Sequence, residues 1–320
     1  MASLQIQARS TNAAVLMCDA AYMPAALFVA GKLLDSDPSS HDIVVMVVGD
    51  MPSQSGARVD PRIQIVQLTN DPVLETIPHS NRKSTATFVR LKIDELLGKY
   101  YEKILYLDCD VWVRGGDISR LFAIDMGRFA IAAVRDAAEI VRPNAPAWKS
   151  YRKQLCLSEG AHYFNSGVLL IHCGNFAEGR VGERAIQYLL EGKFRGGFHD
   201  QSALNAVLDG DWLELSPTWN WMFAPRLELT KRFAPSIIHF IGPNKPWKDR
   251  KGKHAPAYRD EMERYLQSVG IFGYVETEGA LSRIKGQIHR DLKWLSSRVV
   301  GNKRDALVVN FMSAQSRVAV

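Results

Sequence analysis

KILYLDCDVWV, residues 103–113, carries a short apolar run that leads into two aspartates, after which hydrophobic residues resume. An apolar run of this length is typical of a strand buried on both faces of a parallel sheet. Because side chains alternate along a strand, Asp108 and Asp110 should project to the same side while Cys109 points away. Two carboxylates then converge at the carboxyl end of a strand, where open α/β sheets bind ligands.

Similar strand patterns alternate with helical patterns on both sides of this segment. We predict strands at residues 13–18, 42–48, 63–68, 103–107, 128–134, 164–172 and 236–242, and helices at 24–34, 84–97 and 184–190. Continuous apolar strands separated by helices indicate a mostly parallel central sheet flanked by helices, an α/β fold. With no linker-like stretch before about residue 250, the sequence predicts one domain over residues 1–255 and a helical tail over 256–320.

The bulk composition excludes several classes of protein. The chain has 320 residues, of which 47% are hydrophobic and 23% charged, which argues against disorder and fibrous structure. Its apolar runs are far shorter than the roughly 20 residues of a membrane span, and the first residues do not resemble a secretory signal. The four cysteines show no CxxC spacing and are interpreted as free thiols, which favours a reducing, cytoplasmic location.

The net charge of +6 is concentrated near the C-terminus. Residues 281–304 contain seven basic side chains and one acid, so the rest of the chain is neutral and does not suggest nucleic-acid binding. An apolar stripe at helical spacing runs through the same segment: Leu281, Ile284, Ile288, Leu292, Leu295 and Val299. Such a basic amphipathic helix predicts peripheral attachment to an anionic membrane surface. The alternative is a helix that packs its stripe on the preceding domain.

The paired aspartates suit a divalent cation such as Mn²⁺ or Mg²⁺, with phosphate oxygens completing its shell. They would also be explained by a turn, or by a phosphatase of the haloacid-dehalogenase type. That phosphatase pattern requires Thr or Val where this chain has Trp112. In those phosphatases the pattern also lies near the start of the chain, whereas here it lies deep in the sequence. His239 ends another strand-like run and is a candidate third ligand, while Lys245 on the following loop is a candidate cation for a diphosphate.

Four motifs together resemble glycosyltransferase family 8, which includes bacterial lipopolysaccharide galactosyl- and glucosyltransferases and glycogenin. LYLDCDVWVRGGDI, YFNSGVLLI, HDQSALN and HFIGPNKPW occur in the order and approximate spacing of that family. The resemblance covers residues 13–248 and implies a GT-A type nucleotide-diphospho-sugar transferase fold. It also implies retaining transfer of a hexose, galactose or glucose, from a UDP-sugar.

The resemblance assigns roles to individual residues. It implies that Asp108, Asp110 and His239 bind Mn²⁺. Gly242 and Lys245 would then grip the diphosphate. Further substrate-binding positions implied by the family are Asp19, Tyr22, Arg90, Cys109, Asn165, Ser166, Asp200 and Gln201. Among these, Asp19 and Tyr22 would contact the uridine, and the pair Asp200 and Gln201 would act at the transferred sugar. The structural alternative for Asp200 is the N-cap of the helix that follows it.

The implied acceptor is a glycan or glycolipid, as in the synthesis of lipopolysaccharide or surface polysaccharide. A nucleotide-sugar-binding protein without catalytic activity is an alternative, which the presence of the expected metal ligands, of Lys245 and of the Asp200–Gln201 pair disfavours. An oxidoreductase is weaker because no GxGxxG follows the first strand.

Overall fold

The fold is described from a computed structural model. The structure describes residues 4–36, 40–51, 57–78, 84–192, 199–223, 227–249, 254–276, 284–288, 291–292, 295 and 303–315.

A seven-stranded sheet forms the centre of the protein, in the order β3-β2-β1-β4-β7-β6-β8. Its strands are β1 (Asn12–Asp19), β2 (Asp42–Val48), β3 (Ile63–Leu68), β4 (Lys103–Leu107), β6 (Ile131–Arg135), β7 (Phe164–His172) and β8 (Leu213–Glu214). A separate antiparallel pair consists of β5 (Val111–Val113) and β9 (Ile237–His239). Each of the predicted strands is present, in the predicted order, and the sheet is mostly parallel. The run predicted at 128–134 forms a strand only from Ile131, and the run at 236–242 forms one only over Ile237–His239, outside the central sheet.

Helices cover both faces of the sheet. In the first half they are α1 (Met23–Ser36), α2 (Pro72–Glu75), α3 (Ala86–Val89), α4 (Ile93–Leu97), α5 (Ser119–Phe122), α6 (Ala137–Val141) and α7 (Pro146–Gln154). In the second half they are α8 (Cys173–Glu178), α9 (Val181–Leu190), α10 (His199–Leu208), α11 (Leu227–Phe233), α12 (Pro256–Ser268) and α13 (Lys303–Gln315). The helix predicted at 84–97 is divided by a 3₁₀ turn at Arg90–Lys92.

The apolar strands separate two hydrophobic cores. Along β1, Leu16 belongs to the core on one face, whereas Val15 and Met17 belong to the core on the other. This alternation is what a strand covered on both sides requires, and it explains why β1 reads as an unbroken apolar run.

Strand β7 runs antiparallel to both of its neighbours, β4 and β6. Its first residues therefore lie at the same sheet edge as the last residues of β1, β4 and β6. The register between β6 and β7 shifts between Ala133 and Val134, which places Asn165 opposite Val134. Such irregularities are common beside binding sites because they re-aim side chains. The sheet thus gathers residues from four strands at one edge.

In the C-terminal region, helices α12 and α13 contribute side chains to the core, whereas the described stripe residues between them are exposed. Tyr258 and Met262 of α12 are buried in the core beneath α1, and Val308 and Met312 of α13 are buried in the same core. Between these helices, four apolar side chains of the predicted stripe are 49–60% exposed: Ile284, Ile288, Leu292 and Leu295. Leu281 and Val299, the ends of the predicted stripe, lie outside the described residues. The domain boundary at residue 255 stays a prediction.

A search of the described helices finds none with the length and apolar character that crossing a membrane requires.

Candidate functional site

Asp108 and Asp110 follow β4 and meet a histidine from the smaller sheet. Val111 pairs with His239 across the β5–β9 ladder, which brings the imidazole to the two carboxylates. Nε2 of His239 is 3.2 Å from Oδ1 of Asp110 and 3.8 Å from Oδ2 of Asp108. One ligand atom from each of the three residues lies within 4.8 Å of the others. The structure therefore brings together the three side chains that the sequence singled out as metal ligands.

The chemistry of this cluster fits a divalent cation. Oδ1 of Asp110 is buried and, among the described residues, accepts no hydrogen bond. Nδ1 of His239 lies 3.0 Å from the amide oxygen of Asn220. Because an amide oxygen only accepts, Nδ1 carries a proton, and Nε2 is the ring nitrogen that faces the aspartates. Two carboxylate oxygens and one imidazole nitrogen are a donor set that suits Mn²⁺.

Gly167 on β7 has no side chain, and this leaves room for His239 and Asp108. A Cβ atom at that position would lie 2.2 Å from Cε1 of His239 and 3.0 Å from Oδ2 of Asp108. The backbone oxygen of Gly167 accepts a 2.8 Å hydrogen bond from the backbone N–H of Asp108, so the two strands cannot separate to make room. No side chain fits here without displacing a ligand.

A chain of buried side-chain amides lies behind His239. Nδ2 of Asn220 donates to Oδ1 of Asn165 at 3.0 Å, and the same oxygen accepts the backbone N–H of Gly167 at 3.0 Å. Nδ2 of Asn165 donates to Oδ2 of Asp136 at 3.1 Å. A backbone N–H can only donate, so it fixes the orientation of Asn165. That orientation in turn fixes Asn220 and the tautomer of His239.

Arg90 is 5% exposed and pairs with two carboxylates of the site. Its Nη2 donates to Oδ1 of Asp108 at 2.9 Å, and its Nε lies 3.3 Å from Oδ2 of Asp200. Nη1 donates to the backbone oxygen of Ser166 at 2.8 Å. Burial opposes the charge of Arg90, but the neighbouring carboxylates, Asp108 foremost, raise its pKa above the ordinary value. The guanidinium therefore stays charged and links Asp108 to Asp200.

Tyr106 is a second partner of Asp108. Its hydroxyl donates to Oδ1 of Asp108 at 2.8 Å, and its ring lies 4.2 Å from the guanidinium carbon of Arg90. Burial raises the pKa of Tyr106 well above its ordinary value, so the hydroxyl remains a donor.

Asp200 and Gln201 lie in the first turn of α10 and are both buried. Oε1 of Gln201 accepts the backbone N–H of Ser166 at 3.0 Å. Its Nε2 donates to the Tyr163 hydroxyl at 3.1 Å and to Oδ2 of Asp136 at 3.3 Å. Burial is the main reason why the pKa of Asp136 is raised. Gln201 is thus held firmly beside the metal-ligand cluster by three elements of the fold.

Lys245 stands on the loop that follows β9. Its ammonium contacts Oδ2 of Asp110 and donates to the backbone oxygen of Phe240 at 2.9 Å. Burial alone would raise the pKa of Asp110, but His239 and Lys245 outweigh it and hold that pKa below the usual range. The Asp110 carboxylate is therefore charged at neutral pH. Gly242 turns the loop with a φ of +88°, a backbone conformation that favours glycine.

Asp19, Tyr22 and Cys109 lie at the neighbouring strand ends. Oδ1 of Asp19 accepts the backbone N–H of Tyr22 at 3.1 Å, and the Tyr22 ring packs edge-on against Trp247 at 6.2 Å. Burial, followed by the charge of Asp110, raises the pKa of Tyr22, which reflects its closeness to the acidic pair. Cys109 is buried with its sulfur 3.6 Å from the backbone oxygen of Met17.

Four residues of this site were not identified from the sequence: Tyr106, Asp136, Gly167 and Asn220. Tyr106 precedes Asp108 by two positions on the same strand, so the alternation of side chains would have placed it on the same face. Asp136 follows the apolar strand β6 and carries the same strand-end signal as Asp108. Asn220 follows a short 3₁₀ turn and carries no pattern that distinguishes it from an ordinary loop residue.

Comparison with known proteins identifies the family. The model of glycosyl transferase family 8 matches residues 15–251, which is most of the chain. This protein therefore belongs to glycosyltransferase family 8, as the four sequence motifs predicted. Helices α12 and α13 lie beyond the matched region.

Two curated relatives illustrate the range of the family. General stress protein A of Bacillus subtilis is 31% identical over 203 residues, which cover 58% of this chain and 66% of that protein. Lipopolysaccharide 1,2-glucosyltransferase of Escherichia coli is 29% identical over 196 residues, covering 58% of this chain and 56% of the relative. The match thus spans between about half and two thirds of the length of these relatives.

Solved structures confirm the GT-A fold. An active-site mutant of LgtC superposes with a TM-score of 0.67 at 20% identity, covering 82% of this chain and 97% of LgtC. The galactosyltransferase LgtC in complex with donor and acceptor sugar analogues gives a TM-score of 0.64 at 22% identity, covering 86% of this chain and 99% of the other.

Proposed function

We propose that this protein is a metal-dependent retaining hexosyltransferase that moves galactose or glucose from a UDP-sugar to a glycan or glycolipid. The proposal rests mainly on one observation, the convergence of Asp108, Asp110 and His239 beside Lys245 at the sheet edge. Family membership makes glycosyl transfer the reaction class. The names of the Escherichia coli relatives support an acceptor in lipopolysaccharide or surface-polysaccharide synthesis.

The donor would lie across the ends of β1 and β4. Asp108, Asp110 and His239 would hold Mn²⁺, or Mg²⁺, against the diphosphate. A bound divalent cation acts as a Lewis acid that stabilises the charge developing on the departing UDP. Lys245 is close enough to Asp110 to place a second positive charge at the same phosphates.

The uridine and the hexose would contact different parts of the site. Tyr22 would stack on the uracil, and Asp19 would accept hydrogen bonds from the nucleoside. Asp200 and Gln201 would face the transferred sugar, where a carboxylate stabilises the positive charge that develops on the ring. Arg90 orients Asp200 through its 3.3 Å ion pair. The backbone of Ser166 holds Gln201 through its N–H and Arg90 through its carbonyl oxygen. Asn165 and Gln201 both donate to Oδ2 of Asp136.

Donor hydrolysis tests this function. Purified protein is incubated with a panel of UDP-sugars and Mn²⁺, and released UDP is measured for each donor. We expect hydrolysis of UDP-galactose or UDP-glucose above the other donors, and none in EDTA. A protein that releases no UDP from any donor, with or without glycan acceptors, would instead fit a catalytically inactive binding protein.

We also propose that the C-terminal stripe binds an anionic membrane surface on the cytoplasmic side, where a glycolipid acceptor would lie. Its four described side chains are exposed rather than packed on the domain. The basic residues of the same segment supply charge of the sign that anionic lipids attract. Attachment would hold the enzyme at the surface that carries its acceptor.

Liposome sedimentation tests this attachment. The full chain should pellet with anionic vesicles at low salt and be released as salt rises. Replacing Ile284, Ile288, Leu292 and Leu295 by Asn should abolish pelleting, whereas Val73→Asn, at an exposed apolar residue of α2, should not. Truncation before α13 is unsuitable because Val308 is part of the core. Equal pelleting of the two variants would rule out the stripe as the lipid contact.

A further inference from the structure

The two carboxylate oxygens of Asp108 have different surroundings. Oδ1 accepts hydrogen bonds from the Tyr106 hydroxyl at 2.8 Å and from Nη2 of Arg90 at 2.9 Å. Oδ2 lies 3.8 Å from Nε2 of His239, on the side of the metal-ligand cluster. Two protein donors therefore occupy the oxygen that faces away from the cluster, and they leave the other oxygen to face it.

Tyr106 is placed for this contact by the geometry of β4. It precedes Asp108 by two residues, so both side chains project from the same face of the strand. The tyrosine is 1% exposed, and its ring contacts the guanidinium of Arg90, which limits how far either group can move. A phenol has a single proton to donate, and here that proton is directed at Oδ1 of Asp108.

We infer that Tyr106 is a positioning residue that commits Asp108 to bind a cation through Oδ2 alone. The inference rests on the metal site of the proposed function. Without the hydroxyl, Arg90 would hold Oδ1 by one hydrogen bond, and the carboxylate would be less restricted in rotation about its Cβ–Cγ bond. Cation binding would then have to order the ligand, which weakens affinity. Groups that orient metal ligands in this way typically change metal affinity by about 10- to 100-fold when removed.

Tyr101 provides a matched control elsewhere in the same sheet. It is 2% exposed, and its hydroxyl donates to Oδ2 of Asp42 at 3.1 Å. Asp42 begins β2, whereas Asp108 follows the end of the parallel strand β4, so this pair lies at the opposite edge. Tyr101→Phe therefore removes the same chemical group from a buried carboxylate without touching the site.

The experiment measures Mn²⁺ binding to the full chain in the absence of nucleotide, by the loss of the free Mn²⁺ paramagnetic resonance signal. We expect Tyr106→Phe to raise the dissociation constant about tenfold or more, and Tyr101→Phe to bind as the wild type does. Melting temperatures of both variants show whether a loss follows from unfolding. Because Phe keeps the ring under Arg90, the fold should persist.

Three results would overturn the inference. Wild-type Mn²⁺ affinity in Tyr106→Phe would show that the hydroxyl does not position the ligand. An equal loss in both tyrosine variants would show a general effect of removing buried hydroxyls. A wild-type protein that binds no Mn²⁺ would refute the metal site itself, and with it this role of Tyr106. If such a protein still hydrolysed the donor, transferase activity would be independent of the metal site and of the role of Tyr106.

Discussion

Nε2 of His239 lies 3.2 Å from Oδ1 of Asp110, although the two residues are far apart in the chain. The short β5–β9 ladder produces this proximity, because it pairs Val111, the residue after Asp110, directly with His239. A carboxylate oxygen that accepts no hydrogen bond from the described residues and the Nε2 nitrogen of an imidazole face one another across a distance that a shared cation would bridge.

Asp110→Asn should abolish turnover. The substitution keeps the shape of the side chain but removes the negative charge proposed to bind the cation, so we expect a loss of about a hundredfold or more in rate. Donor hydrolysis with Mn²⁺ measures it. Asp117→Asn, at an exposed carboxylate of the loop after β5, is the control and should remain active. Full activity of Asp110→Asn in EDTA would contradict the metal model.

Gly167→Ala should impair the site without removing any polar group. The new methyl group would overlap Cε1 of His239, which must shift away from the aspartates. Overpacking of this kind costs about 1–3 kcal/mol of stability, and Mn²⁺ affinity should fall with it. Gly174→Ala is the control, because its Cβ would lie 3.3 Å from a histidine side-chain atom that a small shift relieves. Unchanged Mn²⁺ binding in Gly167→Ala would show that His239 is not a ligand.

Asn220→Leu should weaken metal binding through the tautomer of His239. The leucine removes the amide oxygen that accepts the Nδ1 proton, so the imidazole is no longer held with Nε2 facing the aspartates. We expect Mn²⁺ affinity to fall about 10- to 100-fold by calorimetric titration. Asn175→Leu loses two hydrogen bonds on α8, away from the site, and should lower stability only. Equal Mn²⁺ affinities in the two variants would exclude this role for Asn220.

Asp200→Asn should act mainly on the rate. The substitution removes the charge proposed to stabilise the sugar ring, so turnover should fall about a hundredfold or more while UDP-sugar binding stays within a few-fold. Calorimetry measures binding, and hydrolysis measures the rate. Loss of donor binding together with a sharp fall in melting temperature would show that Asp200 is a structural partner of Arg90 instead.

Much of the fold could be predicted because the strands are buried on both faces. Strand β2 is buried at every residue, and such strands read as unbroken apolar runs with clear ends. The direction of β7 and the pairing of β5 with β9 could not be predicted, because they depend on contacts between distant parts of the chain. The ion pairs of Arg90 could not be predicted for the same reason, since its two carboxylate partners come from other elements.

The site was predictable to a similar extent. Asp108 and Asp110 stand on one strand, and alternation alone places them on one face. Their positions at a strand end and on the loop after it made His239 and Lys245 candidates, whereas Asp200 acquired a role at the sugar only through the family resemblance. Asn220 and Gly167 act by supporting or leaving room for other residues, and a single sequence contains no periodicity that marks such positions.

The most direct test of the central claim is a calorimetric titration of UDP into the protein with Mn²⁺ and again with EDTA. The claim is that Asp108, Asp110 and His239 bind a cation that holds the diphosphate. It predicts one UDP site per chain with Mn²⁺, at least about tenfold weaker in EDTA, and no Mn²⁺ enhancement in Asp110→Asn. UDP binding of equal affinity with Mn²⁺ and with EDTA would contradict it.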